Sequence, residues 1–257
     1  MTDAPGTTGV ATAATPLQMI RADIDVRDFW LWAGTRRLQD LDHAMHCLLT
    51  ESFGDLAPKP FRVMIPRGGS RGVLYGYSTD GADALREAAE ICADPLQCRI
   101  IPAAMLHSKA MPSKWRPGEQ LGFETRIRPI VRRTRNAGCR PGKEWDAFQL
   151  EAIQCPEGEM PRSREKVYAD WLSDQFERRG GARLELGKTK LVSFQRTRAV
   201  RKRHARYSEG PDAVMRGILT ITDSDAFAAL LAHGIGRHRA YGYGMLLLRP
   251  ATGAARP

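Results

Sequence analysis

The sequence contains no apolar run of about 18 residues, the minimum a helix needs to cross a bilayer, and no membrane-spanning helix is expected. Met1 to Thr15 is rich in Ala, Thr and Gly and lacks the basic and apolar regions of a secretory signal. It reads as a disordered lead, residues 1–15, and the protein is expected in the cytoplasm. Cysteines are few: Cys47, Cys92, Cys98, Cys139 and Cys155 are odd in number, scattered, and form no C-x-x-C pair. That pattern argues against a disulfide framework and against a zinc or redox site, so no metal and no cofactor is expected. A dinucleotide-binding fingerprint is missing too, although GIGRHRAYGYG, Gly234 to Gly244, carries four glycines. That fingerprint needs a strand before its glycines and a helix after them. Here Ser224 to Leu231 reads as a helix before the loop, and Met245 to Leu248 as a buried strand after it. What remains is a glycine loop able to lie against something bulky and anionic, or one closing tightly against its own domain.

Cations are plentiful and unevenly placed. Of a formal net charge of +10, the stretch from Arg126 to Arg206 holds 21 Lys and Arg against 10 Asp and Glu, so the rest of the chain is close to neutral. Arginine outnumbers lysine there. Guanidinium groups fork onto phosphate oxygens and stack on bases, which favours a nucleic acid over a generic anionic surface or a merely solvated basic face. The candidate RNA-contacting residues are Arg126, Arg128, Arg132, Arg133, Arg135, Arg196, Arg198, Arg201, Lys202 and Arg203.

A chain of 257 residues has room for one large domain or two small ones, and the periodicities repeat one order twice. Pro16 to Asp25 reads as a strand, Asp40 to Phe53 as a helix, Pro60 to Pro66 and Gly72 to Ser78 as paired strands, and Asp80 to Cys92 as a helix. Arg99 to Pro102 is the candidate last strand. The second series is Leu121 to Val131, a helix from Arg164 to Arg178, strand material from Arg183 to Phe194, a strand from Met215 to Thr222, the helix to His233 and the final strand. Two β-α-β-β-α-β units predict an α+β fold of tandem ferredoxin-like domains, also the fold of RNA-recognition modules. The boundaries are 16–117 and 118–250, with an arginine-rich insertion in the second.

Histidine is suited to proton transfer near neutral pH. On the helix from Asp40 to Phe53, Leu41, Met45, Leu48 and Leu49 share one face, while His43 and His46, three apart, fall on the opposite, solvent-facing flank. Such a pair serves catalysis, ligates a metal with partners elsewhere, or decorates a surface. His107, His204, His233 and His238 stand apart from carboxylates and cysteines at ligand spacing. Tyr207, Tyr241 and Tyr243 offer either base stacking or loop packing.

The loop of form GIGR…YGYG between the last helix and last strand resembles the signature of the CRISPR-associated repeat-RNA endoribonucleases, within the repeat-associated mysterious protein superfamily. The resemblance covers nearly the whole chain, through HAMHCLLTESFG, KPFRVMI, REKVYADWLSDQF and MRGILTITDSDAFAALL. It is strongest to the type I-E processing enzyme, and the arginine-rich stretch is also similar to type IV processing nucleases. The resemblance implies a protein that binds the stem-loop of a CRISPR repeat, cuts at the 3′ base of the stem without metal, and stays bound to the guide RNA among other subunits of an effector complex. It also implies that Gly234, Gly236, Gly242 and Gly244 let backbone approach the phosphates while Arg237 and Arg239 contact them. The type I-E helix carries Tyr-x-x-His; His46 matches the histidine, and His43 stands where tyrosine is usual. Either His43 replaces the tyrosine, or arginines carry more of the work, with Arg36 and Arg37 stabilising the phosphorane. A catalytically silent RNA-binding scaffold subunit of the same superfamily is the competing class.

Overall fold

Alternation builds the first sheet. In β1 (Gln18–Asp25) Ile20, Ala22 and Ile24 are buried and their neighbours are not, the period-two pattern of a strand covered on one face. In this computed structural model, which describes residues 16–132, 144–157, 159, 162–199 and 208–251, the chain turns from β1 directly into α1 (Val26–Thr35). The Asp25 carboxylate caps α1, and Asp40 caps α2 (Leu41–Phe53) by accepting from the His43 N–H. Each such cap contributes about 1 kcal/mol. Phe29, Trp32, Met45 and Leu48 point from the two helices into the first core. β2 (Phe61–Met64), β3 (Arg71–Ser78), α3 (Ala82–Cys92), α4 (Pro95–Ile100) and β4 (Leu106–Ala110) follow. The strands are antiparallel in the order β2-β3-β1-β4, the ferredoxin-like arrangement.

One segment without an expected element is helical, and one expected strand is not a strand. The segment between β1 and α2 is helical, its inward residues being Phe29, Trp32 and Ala33. Arg99 to Pro102 is not the edge strand: Asp94 and Gln97 form a capping box with Pro95 in the first turn, and the helix so started runs through Ile100. The edge strand is β4, paired with β1 from Gln18↔Ala110 to Ala22↔Leu106. Only Leu106 of β4 is buried, which leaves it no alternation to read.

After Pro117, which lies between β4 and the next strand, come β5 (Gln120–Ile127), β6 (Ile130–Arg132), β7 (Glu144–Asp146) and α5 (Ala147–Gln154). Then follow α6 (Arg164–Arg179), β8 (Ala182–Leu184), β9 (Lys190–Ala199), β10 (Ser208–Ile221), α7 (Ser224–His233) and β11 (Leu246–Pro250). The order β11-β5-β10-β8 repeats that of the first sheet, so the fold is a tandem of ferredoxin-like units. β6 pairs with β7, and β9 forms a hairpin with β10, which makes β10 begin earlier than the expected Met215. Phe123, Tyr168, Leu172, Phe176, Leu219 and Phe227 make the second core, which Tyr77 of β3 enters. The Tyr77 hydroxyl donates to the Leu246 carbonyl at 2.8 Å in a buried bond between the two sheets.

Candidate nucleic-acid interface and histidine site

The loop between α7 and β11 is shaped by its glycines. Gly234, Gly236, Gly242 and Gly244 all have positive φ, from 69° to 79°, a region closed to most side chains. The loop folds onto itself, with the Ile235 N–H donating to Gly244 and the Gly244 N–H to Arg126. A Cβ on Gly244 would lie 2.0 Å from the Ile235 carbonyl oxygen, and one on Gly236 2.9 Å from the Trp171 ring. On Gly234 it would meet both Gly244 and Pro60, and on Gly242 it would lie 3.3 Å from Phe61. The glycines are thus required by close packing within the protein.

What the loop delivers is Tyr241. Its ring centroid is 5.0 Å from that of His46 and 6.2 Å from that of His43. Helical spacing puts both histidines on one flank of α2, as expected, but that flank is not open to solvent: both are half-buried. Burial, then the charges of His43 and Lys59, push His46 below the ordinary histidine value. Lys59 is exposed, just before β2. The sequence offers Tyr241 only for base stacking or loop packing, because it reaches α2 through the tertiary fold.

Arg126 does not reach outward. Its side chain is 14% exposed and lies between two carboxylates. Nη1 and Nη2 donate to Asp42 at 2.6 and 2.9 Å, and Nε and Nη2 donate to Asp212 at 2.7 Å each. The guanidinium also stacks on Tyr243, 4.3 Å from the ring centroid. One cation serves two acids. Burial opposes ionisation of Asp212, yet hydrogen bonds from Arg126 and Gln195 hold it below the usual carboxylate range; at Asp42 burial prevails and raises it. Removing one member of a buried set of this kind costs about 3–5 kcal/mol. Arg128 is buried as well, 4% exposed, and donates to Thr197 at 3.2 Å. Both were expected as RNA contacts, but neither is presented to solvent: Arg126, on β5, is forked onto Asp42 and Asp212, and Arg128, just past the end of β5, is buried beside Thr197.

The other expected residues are dispersed. Arg36 bonds Glu51 at 3.0 Å and Asp94 at 3.4 Å and stacks over Trp32. At 3.6 residues per turn, Glu51 lies about 140° round α2 from His46, so Arg36 serves another face of the helix. Arg37 is exposed in the turn after α1 with φ 56°. Arg132 and Arg237 approach Glu144 of β7 at 3.3 and 3.9 Å, and His238 Nε2 is 3.2 Å from the same carboxylate. Arg239 donates to the His233 carbonyl at the end of α7. Arg196 is 3.8 Å from Glu209 across the β9–β10 hairpin, and Arg198 lies on β9. Arg133, Arg135, Arg201, Lys202 and Arg203 lie outside the described residues. Among the described residues no group of three or more His, Cys, Asp or Glu is placed to hold a metal, and no helix is long and apolar enough to cross a membrane.

Two antiparallel ferredoxin-like sheets, with the glycine loop of the second unit set against α2 of the first, define the class of fold. The family model for CRISPR associated protein matches residues 17–250, and the chain belongs to that family. Among solved structures the chain is similar to Thermus thermophilus Cse3 bound to an RNA representing a pre-cleavage complex, with 18% identity, TM-score 0.59, and 91% of this chain and 100% of that one covered. It is also similar to the CRISPR-associated protein Cas6e from Escherichia coli str. K-12, with 18% identity, TM-score 0.51 and the same coverage. A chain of a CRISPR RNA-guided surveillance complex aligns at 15% identity and TM-score 0.55, again over 91% and 100%. At these identities the fold is what is shared. No curated protein sequence matches the chain.

Proposed function

We propose that this protein is an endoribonuclease that binds the stem-loop of CRISPR repeat RNA, cuts it, and remains on the product within a CRISPR effector complex in the cytoplasm. Membership of the CRISPR-associated family and likeness to Cse3 and Cas6e, the former an endoribonuclease bound to RNA, support the class. The observation that carries the reading is the half-buried His46 beside Tyr241, with its basicity lowered next to a lysine. A histidine held neutral near pH 7 accepts a proton from a 2′-hydroxyl. The 2′-oxygen then bonds to the adjacent phosphorus, the bond from phosphorus to the 5′-oxygen breaks, and His43 returns a proton to the departing oxygen. Lys59 supplies positive charge to the phosphorane. The phenol that the family helix carries where His43 stands is supplied here from the glycine loop by Tyr241. The products are a 2′,3′-cyclic phosphate and a free 5′-hydroxyl.

Backbone affinity is assigned to the exposed Arg132 and Arg196 of the basic segment and Arg237 of the glycine loop, together with Arg133, Arg135, Arg201, Lys202 and Arg203, which lie outside the described residues. The test is incubation with a repeat-containing transcript in excess EDTA. Discrete fragments ending in a 2′,3′-cyclic phosphate are expected. Retardation of the transcript with no cutting would instead make the protein an RNA-holding scaffold subunit.

A further inference from the structure

Asp42 immediately precedes His43 on α2. Asp212 lies on β10 opposite Gln195 of β9 and accepts from the Gln195 side chain at 2.8 Å. The same strand β9 carries Arg196 and Arg198. A single guanidinium joins these two places, with Arg126 forked onto Asp42 on one side and onto Asp212 on the other. Tyr243 lies beneath the guanidinium, and its hydroxyl is 3.4 Å from that of Thr197 on β9. A planar group with five donors in fixed directions holds two carboxylates at a set separation; a lysine, with one compact charge, does not.

We infer that Arg126 is a positioning residue: with Asp42 and Asp212 it ties the histidine helix to the middle of the β9–β10 hairpin, so that RNA held by the hairpin is presented to His43 and His46 at a fixed distance. The inference rests on the endoribonuclease reading. A strut of this kind matters for rate more than for affinity, because a displacement of about 1 Å at reacting groups costs about 100-fold.

The experiment measures single-turnover cleavage of a repeat transcript, its Kd and the melting temperature for the full chain and for Asp42→Asn, Asp42→Glu and Arg126→Lys. Asp42→Asn detaches the helix and leaves the hairpin end of the strut intact. Its cleavage rate is expected to fall about 10- to 100-fold with Kd within about threefold of the parent. Asp42→Glu, which keeps the carboxylate, is expected to recover most of that loss. Arg126→Lys keeps the charge but loses both forks and is expected to cut as slowly as Asp42→Asn. If Asp42→Asn proves unfolded at the assay temperature, Arg126→Lys carries the decision alone. A folded Asp42→Asn or Arg126→Lys that cuts at the parental rate, with only its melting temperature lowered, overturns the positioning role in favour of a purely structural one. A parental protein that binds the transcript and never cuts it overturns the endoribonuclease reading and this inference with it.

Discussion

The ring of Tyr241 stands 5.0 Å from that of His46, although one belongs to the loop before the last strand and the other to the second helix. If His46 takes the 2′-hydroxyl proton, His46→Ala should slow single-turnover cleavage by about 100- to 10,000-fold with little change in Kd, the range for a lost acid or base. His43→Ala should lose less. Both mutants cutting at the parental rate would sink the histidine mechanism.

The phenol itself is separable from its ring. Tyr241→Phe keeps the packing over the histidines and removes only the hydroxyl, so it should bind RNA normally and cut about tenfold more slowly. Equal rates for the parent and Tyr241→Phe would reduce Tyr241 to a packing residue.

The pH profile carries a sign. Burial, His43 and Lys59 all lower His46 from the ordinary 6.5, so a neutral base survives to more acidic pH. The acid limb of the cleavage profile should have its midpoint below 6.5, and His43→Asn or Lys59→Met should move it upward by removing a like charge. Stability follows the same linkage: the unfolded chain binds this proton more tightly, so the contribution is present above 6.5 and is lost as pH falls through the lower folded value. A midpoint that stays put in both variants would remove these neighbours from the explanation.

For Gly244→Ala the obstacle is backbone: a φ of 79° and a Cβ 2.0 Å from the Ile235 oxygen. The expected loss is on the order of 3 kcal/mol, about 6–12 °C in melting temperature for a chain of this size. Calorimetry showing parental stability would mean that the loop has room to rearrange.

RNA affinity should fall steeply with salt. The triple variant Arg201→Ala, Lys202→Ala, Arg203→Ala should reduce the slope of log Kd against log salt by about 2 to 3, close to one unit per lost phosphate contact. An unchanged slope would place this run away from the RNA.

Where a segment's own periodicity decided its structure, the sequence was readable. Asp40 and the inward set Met45, Leu48 and Leu49 announce α2, and Asp223, the side-chain cap of α7, with buried Phe227, Leu230 and Leu231 marks the helix before the loop. β4 was unreadable because four of its five residues are exposed, and Arg99 to Pro102 looked like a strand because its two isoleucines outweighed the capping box upstream. At the candidate site, spacing alone places His43 and His46 on one flank of α2 and leaves their role open. Tyr241 comes from a distant segment, and the placement of Arg126 between Asp42 and Asp212 is set by packing that charge counting does not see. A basic segment thus contains arginines facing in both directions, and only the fold separates them.

The buried bond from Tyr77 to Leu246, together with Met19 and Tyr75 packed against the second core, means that the second core is closed in part by residues of the first sheet. A fragment ending near Pro117 would expose the tyrosines of β3 to water, and the complementary fragment would lack a wall of its core. Recombination between relatives is therefore constrained to exchange both halves together. A chimera that swapped one half would have to inherit matching residues at Tyr77, Pro60 and Gly234, where the seam has no slack for a different side chain.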